Sequence, residues 1–532
     1  MTLKFYRKEG GLTMENDRRN EKRRDDEERA ESTNTTTSVS RRAVLKGAIG
    51  LGVMTTVGTA GFHLAAGDAE GALRKPPKKW NREADLIVLG AGAGGLFAAI
   101  EGRNAGSEVL LLEKTSAIGG STAICGGLTS FAGTDEQKAM GIKDSNELFY
   151  EDFIKAGEGL CMEDLVRVLI DNQLDAYRLL KEYGVTFKKE VVMASGMSVP
   201  RCHQWDRPQL INALRNVAQK KGAKILLDTG GKRLVTDCDK VLGVEVESKG
   251  KTAFFKARKS VILCTGGFAR NAPMLVDYVL GLRGAVGVSG AGCTGDGHRM
   301  AQSLGSNLVQ MGTIRGVFIG AGPDWNLSLV IYYVGAVIVN KEGKRFVNES
   351  LSYKIIPDYV SKQADQVGYV IFDSAIAEKS KGLAALYNVN VVKDVVVVAD
   401  TIEDLASKLG LPPKTLKETI QNYNRYVETG QDPECGRTTM VEGQGKPVKL
   451  EKPPWYGLPQ KTTVPTTYGG IQVNPSLRVV DVFGDPIPRL YAAGEIIGGV
   501  HGAKSSSGTA TLKAFTYGRL AGRNAAKEKP WK

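Results

Sequence analysis

The 532-residue chain has only seven cysteines and four histidines, and the cysteines (Cys125, Cys161, Cys202, Cys238, Cys264, Cys293, Cys435) form no CxxC and no CxxCH. That spacing argues against attached c-type haem, a ferredoxin-like cluster or a zinc ribbon, and no metal site is expected. An odd cysteine count without a pattern suggests no disulfide framework either. The net charge is +13, but no concentrated basic block carries it, so no nucleic-acid surface is read. Internal repeats and low-complexity segments are lacking after the leader. What remains, 42% apolar and 24% charged, is an ordinary globular composition in a chain too long for one core, which suggests two domains.

The leader is polar. Residues 1–39 carry both charge signs and almost no aromatics and are expected to be disordered. Ser40-Arg41-Arg42-Ala43-Val44-Leu45-Lys46 then precedes a mildly apolar Gly/Ala/Thr-rich stretch, and residues 40–69 match a twin-arginine export signal, with the translocase as a partner and cleavage near Ala66 or Ala69. A retained signal anchor, or a basic tail followed by a short buried helix, is the alternative. Export to the periplasm or cell surface is the expectation.

The most informative segment is DLIVLGAGAGGLFAAIEGRNAGSEVLLLEK, Asp85 to Lys114, an apolar strand, a glycine turn, a helix and a second apolar strand ending in an acid. This is a dinucleotide-binding βαβ pattern. Gly90 permits the turn, Gly92 lets the backbone approach a pyrophosphate, Gly95 lets helix and strand pack, and Glu113 stands where a ribose hydroxyl needs an acceptor. The next stretch, KTSAIGGSTAICGG, adds Lys114, Gly120, Ser121, Thr122, Gly126 and Gly127, suited to wrapping backbone amides around a long, doubly phosphorylated cofactor. A nicotinamide dehydrogenase needs no such loop, so FAD is favoured. Two later strand-then-glycine turns, VILCTGGFARN and IPRLYAAGEIIGG, can return to the same cofactor.

The runs GGSTAICGG, GDG at Gly295 to Gly297, GAVIVNKEGKRFVNES and AAGE followed by VHGA resemble the flavoprotein family of soluble fumarate reductases, succinate dehydrogenase flavoprotein subunits and 3-ketosteroid dehydrogenases, over about Asp85 to Lys527. The resemblance implies an α/β fold with a discontinuous Rossmann-like FAD-binding domain, residues 82–311 and 464–532, and an inserted α+β cap (substrate) domain, residues 312–463. It implies that Gly90, Gly92, Gly94 and Gly95 face the pyrophosphate, that Glu113 faces the adenosine ribose, and that Asp296 and Glu495 hold ribityl and ribose hydroxyls. The backbone at Ala510 and Thr511 should face the flavin's pyrimidine carbonyls. No histidine stands in the GGSTAICGG loop, where succinate dehydrogenase subunits attach FAD, so FAD should be noncovalent. Within the cap, a hairpin is expected around Lys341-Glu342-Gly343, and Asp404 to Val427 has helical spacing interrupted by Pro412-Pro413, which would start a second helix.

At the positions that hold a dicarboxylate in fumarate reductases, the cations are replaced. The proton-donating arginine falls on Tyr353, a histidine on Val317, a Glu/Arg pair on Leu329 and Tyr332, a second histidine on Pro465 and a second arginine on Ser505. Burying a dianion without paired cations costs several kcal/mol per charge, which argues against fumarate or succinate. A tyrosine after NES is what 3-ketosteroid dehydrogenases resemble, where a phenol moves the proton. Tyr353, with Tyr332, Tyr333 and Tyr468, is therefore expected to line a neutral aromatic pocket. The ketosteroid enzymes' tyrosine near the C-terminus has no counterpart in Ser505-Ser506-Ser507-Gly508. His203 is an open possibility at the substrate side, whereas His298 and His501 are expected to fix loops.

The function expected is reduction of an activated carbon–carbon double bond in a non-dicarboxylate substrate (enone, steroid-like or aromatic), with hydride from flavin N5 and a tyrosine proton donor. The reverse reaction, a 3-ketosteroid-type dehydrogenase, and a noncatalytic flavin electron-transfer subunit are the alternatives. With no second redox centre in the chain, electrons must pass to or from an external partner, a cytochrome, quinone-linked or flavin protein.

Overall fold

The computed structural model describes residues 75–531 apart from 315, 384–386 and 442–444, so the leader and its twin-arginine motif lie outside the described residues. The chain begins with β1 (Arg82–Leu89), turns into α1 (Ala93–Asn104) and returns as β2 (Val109–Leu112). Leu86 to Leu89 and Val109 to Leu112 are all buried, as expected of parallel strands covered on both faces. β3 (Lys224–Leu226) pairs parallel to β2, β4 (Lys251–Leu263) pairs parallel to β1, and β5 (Pro486–Ala492) pairs parallel to β4. The parallel order is β5-β4-β1-β2-β3. The last helix, α2 (Thr509–Ala525), packs its backbone onto α1, where a Cβ at Gly518 would come within 2.3 Å of Gly94 O.

A second sheet, antiparallel apart from the short strand Val286–Gly287, which runs parallel to Thr463–Val464, sits between the two halves of the first in sequence. Its long strand Trp455–Val464 pairs with Val317–Ala321 on one side and Val367–Asp373 on the other, and Val337–Val339 pairs with Val367–Asp373. The buried apolar residues separate accordingly: one cluster draws on residues 84–301 and 471–526, another on residues 318–458. A small third cluster includes Phe268, Met274, Leu282, Met311 and Val464.

Two local expectations in the cap meet the structure differently. Helices at Ile402–Leu409 and Pro413–Thr429 flank the proline pair; Gly410 ends the first in a left-handed conformation and Pro413 opens the second. The Lys341-Glu342-Gly343 turn forms, with Asn340 N donating to Lys344 O at 2.9 Å, but the hairpin is a single bridge between Val339 and Arg345. Arg345 leaves the ladder because its side chain enters a buried ion network with Glu349 and Asp432. Val337–Val339 takes its partner from Val367–Asp373 instead. Among the described residues, no helix is long and apolar enough to cross a membrane, and no group of three His, Cys, Asp or Glu is placed to hold a metal.

Candidate active site

The glycine turn after β1 opens a cavity of about 360 Å³ that runs past the N-terminal ends of α1 and α2. Gly90 has φ +102°, and a Cβ there would lie 2.3 Å from Cys264 O, so the turn needs glycine. Gly92 and Gly94 line the cavity; a Cβ on Gly92 would meet only Gly119 O, at 3.8 Å, which leaves the backbone open to a bulky ligand. Gly95 does not line it. A Cβ there would come within 1.8 Å of Gly90 O, so Gly95 is the close-packing glycine of the turn and not a pyrophosphate contact. Gly120, Ser121, Thr122 and Gly126 are on the wall, whereas Gly127 is not: φ +67° and a Cβ 2.7 Å from Trp205 O assign it to packing against the strand Cys202–Trp205.

The acids and bases of the wall each have partners within the protein, though only Lys114 and Asp296 pair with each other. Glu113 accepts from Ala91 N at 2.9 Å through one oxygen and from Thr115 N at 2.9 Å through the other, so it braces the glycine turn while facing the cavity. Lys114 Nζ donates to Asp296 at 2.6 Å and to Thr294 at 2.5 Å. Burial would raise the Asp296 carboxyl, but the Lys114 ammonium and Arg299 hold it below its usual range. Glu495 accepts from Thr466 Oγ1 at 2.9 Å and Thr467 N at 3.1 Å, with Ser121 Oγ at 3.4 Å. Glu495, Asp296 and the Ser121 loop thus converge on one wall from three separate segments. Ala510 and Thr511 stand at the start of α2, whose N-cap, Gly508, offers no side-chain acceptor and whose first turn carries no acid. Uncapped amides there form an anion- and carbonyl-binding end. Wall, open glycine backbone and uncapped helix ends fit a long dinucleotide cofactor.

Three of the four tyrosines come together in the cap, with Tyr333 meeting the Tyr332 ring at 5.2 Å and the Tyr353 ring at 6.4 Å, but of the four only Tyr468 lines the cavity. Tyr468 lines the cavity; its phenolic oxygen accepts from Ser505 Oγ at 2.6 Å and its ring meets His501 edge-on at 5.0 Å. Tyr332 is a correction to the expected aromatic pocket. It is fully buried in the cap, its hydroxyl donates to Phe318 O at 2.7 Å, and burial pushes its pKa well up, which suits a core tyrosine rather than an acid facing the flavin. Tyr353 is half-buried on the cap and is not on the cavity wall; its backbone N–H donates to the Tyr333 hydroxyl oxygen at 2.7 Å and Lys354 lies 5.5 Å over its ring. His203 is buried with both nitrogens engaged, to Thr134 Oγ1 at 2.8 Å and Arg201 O at 2.7 Å, so it holds the strand Cys202–Trp205 in place. His501 stacks on Phe153, and His298 packs against Phe268 in the interior.

Two features of the wall escaped the sequence reading. Thr466 and Thr467 bind Glu495, but a threonine pair before Tyr-Gly-Gly carries no motif signal. Lys513 is 1% exposed, forms part of the wall, and donates to Ile497 O at 2.9 Å. Its signal was present as a lone lysine beside Leu512 on the buried face of α2.

Comparison with known proteins agrees with this architecture. The model of the FAD binding domain family matches residues 85–511. A probable fumarate reductase of Shewanella frigidimarina (strain NCIMB 400) is 31% identical over 449 residues, covering 83% of this chain and 74% of that protein. The open conformation of a flavocytochrome c3 fumarate reductase superposes with a TM-score of 0.78 at 30% identity, over 84% of this chain and 79% of the other. The 3-ketosteroid-Δ4-(5α)-dehydrogenase from Rhodococcus jostii RHA1, in complex with 4-androstene-3,17-dione, gives 0.65 at 28% identity, over 86% of this chain and all of the other. The family match spans β1, the glycine turn, the whole cap and the first turn of α2; the chain belongs to the FAD binding domain family and is an FAD-dependent oxidoreductase.

Proposed function

We propose that the chain reduces an activated carbon–carbon double bond in a non-dicarboxylate substrate, an enone, steroid-like or aromatic compound, with a tyrosine as proton donor. The observation that carries this reading is Tyr468 on the cavity wall, its phenol accepting from the Ser505 hydroxyl, at a place where a carboxylate would need a cation. Among the described residues the wall holds two lysines, Lys114, paired to Asp296, and Lys513, on Ile497 O; Lys504, beside Ser505, pairs outward with Glu158 at 2.5 Å. A dicarboxylate there would face several kcal/mol of uncompensated desolvation per charge, whereas a neutral carbonyl needs only a donor.

Bound FAD, once reduced, supplies the hydride. Tyr468, whose oxygen accepts from Ser505, is polarised as a donor and would hold a substrate carbonyl, drawing charge off the double bond. Tyr353, which stands off the wall, would have to move toward the cavity to deliver the proton to the carbon beside that carbonyl. Likeness to a ketosteroid dehydrogenase caught with a 4-ene-3-one supports the same machinery running in the oxidative direction as the second reading. The electrons would come from an external cytochrome, quinone-linked or flavin protein, and the twin-arginine motif supports work outside the cytoplasm.

The test is anaerobic reoxidation of the reduced, FAD-loaded protein against fumarate, urocanate, cinnamates, enones and 3-ketosteroids. Rapid reoxidation by an enone or steroid, slowed about a hundredfold or more by Tyr353→Phe, is the expected result. Reoxidation by fumarate alone would overturn it.

A further inference from the structure

Lys513 is the charged side chain of the cavity wall that, among the described residues, has no carboxylate partner and leaves donors unused. An ammonium has three donors, and here one is used, on Ile497 O at 2.9 Å. No carboxylate pairs with it among the described residues; Glu495 acts on it only through its charge, while burial lowers its pKa to about 8, so at neutral pH most of it is still charged. A buried cation with bare donors is costly unless the occupant of the cavity completes it.

Its position says what kind of occupant does so. Lys513 follows, by less than one helical turn, the uncapped amides of Ala510 and Thr511 at the start of α2, where Gly508 caps with φ +75° and no side chain. Amides and ammonium place positive potential at the same end of the cavity. His298 does not offset it: the ring is fully buried, neither nitrogen has a hydrogen-bond partner, and burial together with the Lys513 charge lowers its pKa to about 4, so it is neutral. A flavin ring that takes two electrons from the external donor and one proton at N5 is left with one negative charge, spread over its pyrimidine edge. The resemblance puts the Ala510 and Thr511 amides at that edge, and a cation less than one turn along the same helix favours the reduced form.

We infer that Lys513 sets the reduction potential of the bound flavin, its ammonium stabilising the anionic reduced ring. Lys513 acts on the cofactor and not on the substrate, so the inference holds whichever double bond is reduced.

The experiment is an anaerobic spectroelectrochemical titration of the FAD-loaded protein at pH 7, with a parallel titration by inorganic sulfite, which adds to the oxidised ring and leaves it anionic. Lys513→Gln keeps a donor for Ile497 O without the charge, and Lys513→Met removes both. Both are expected to lower the two-electron reduction equilibrium at least tenfold, a 29.6 mV drop in midpoint, and to weaken sulfite binding tenfold or more. Lys513→Arg should stay within about threefold of the parent, the range a retained charge allows against the tenfold step. If Lys513→Met does not fold, Lys513→Gln decides. An unchanged midpoint and unchanged sulfite binding in Lys513→Gln would overturn the inference in favour of a structural bond to Ile497. Loss of FAD from all three variants would overturn it in favour of a role in cofactor retention. No substrate enters either titration, so failure of the enone reading and failure of this inference are separable.

Discussion

The cofactor half and the cap both bury charged side chains, but they finish them differently. In the cap, Arg345 bonds Glu349 at 2.7 Å and Asp432 at 2.9 Å, and Arg437 adds Ala336 O, Tyr332 O and Glu349, all inside the protein. Burial would raise Glu349, but the two guanidiniums hold its carboxyl below the usual range. The cofactor half leaves its groups open: the α2 amides are uncapped and Lys513 has one acceptor. The cap network is nearly closed, with Arg437 Nε left bare, and indicates a scaffold that must keep its shape, whereas open groups along a cavity indicate a place where a ligand supplies the missing partner.

The largest effect expected is at the glycine turn. Gly95→Ala puts a methyl within 1.8 Å of Gly90 O, so α1 must move off β1, at a cost of more than about 4 kcal/mol; purified protein should lack flavin absorbance, and a variant that retains FAD would refute the packing role given to Gly95. Next, Glu349→Ala leaves two buried guanidiniums short of a carboxylate and should lower unfolding stability by about 3–5 kcal/mol. FAD affinity of the folded protein should stay the same. A parallel loss of FAD would show that cap and cofactor half are not separate in the way their networks suggest.

What was legible in the sequence followed from backbone requirements. Gly90 and Gly95 could be placed because the tight turn and the close helix–strand approach are local demands that few residues meet, and the same motif spacing brings Gly92 and Glu113 to the cavity wall. The proline pair before the Pro413–Thr429 helix was readable for the same reason. Side-chain destinations were not. Tyr332 and Tyr468 look alike in sequence, yet one closes on Phe318 O and the other reaches Ser505 across 37 residues, because which way a side chain points depends on long-range pairing. Gly127 shows the converse: it belongs to a cofactor-loop motif, but the strand at Trp205 takes it for packing.

His298 sharpens the comparison through pH. Its pKa falls from 6.5 in the unfolded chain to about 4 in the fold, first because it is buried and then because of the Lys513 charge. The unfolded chain therefore binds the extra proton between these values; the stabilisation is complete above pH 6.5 and is lost as pH falls toward about 4, amounting to roughly 3 kcal/mol at 1.36 kcal/mol per unit. His203, also lowered by burial, adds to the same limb. Denaturant melts of His298→Leu across pH 7 to 4 should show a shallower acid limb than the parent; equal slopes would mean that the interior behind the cavity is already wet.

The smallest effect is expected from Tyr332→Phe, and it separates scaffold from site most directly. Removing the hydroxyl deprives Phe318 O of one donor, and that carbonyl lies on a strand already paired to Thr462, so the loss should be about 1 kcal/mol. Turnover of whichever substrate reoxidises the parent should remain within about twofold, because the phenol neither lines the cavity nor has a hydrogen to spare. A proton donor replaced by phenylalanine would cost about 10² or more. Those two outcomes differ by at least fiftyfold in rate, wide enough that a single initial-rate comparison with Tyr468→Phe and Tyr353→Phe assigns each tyrosine to the wall, the cap core or the chemistry.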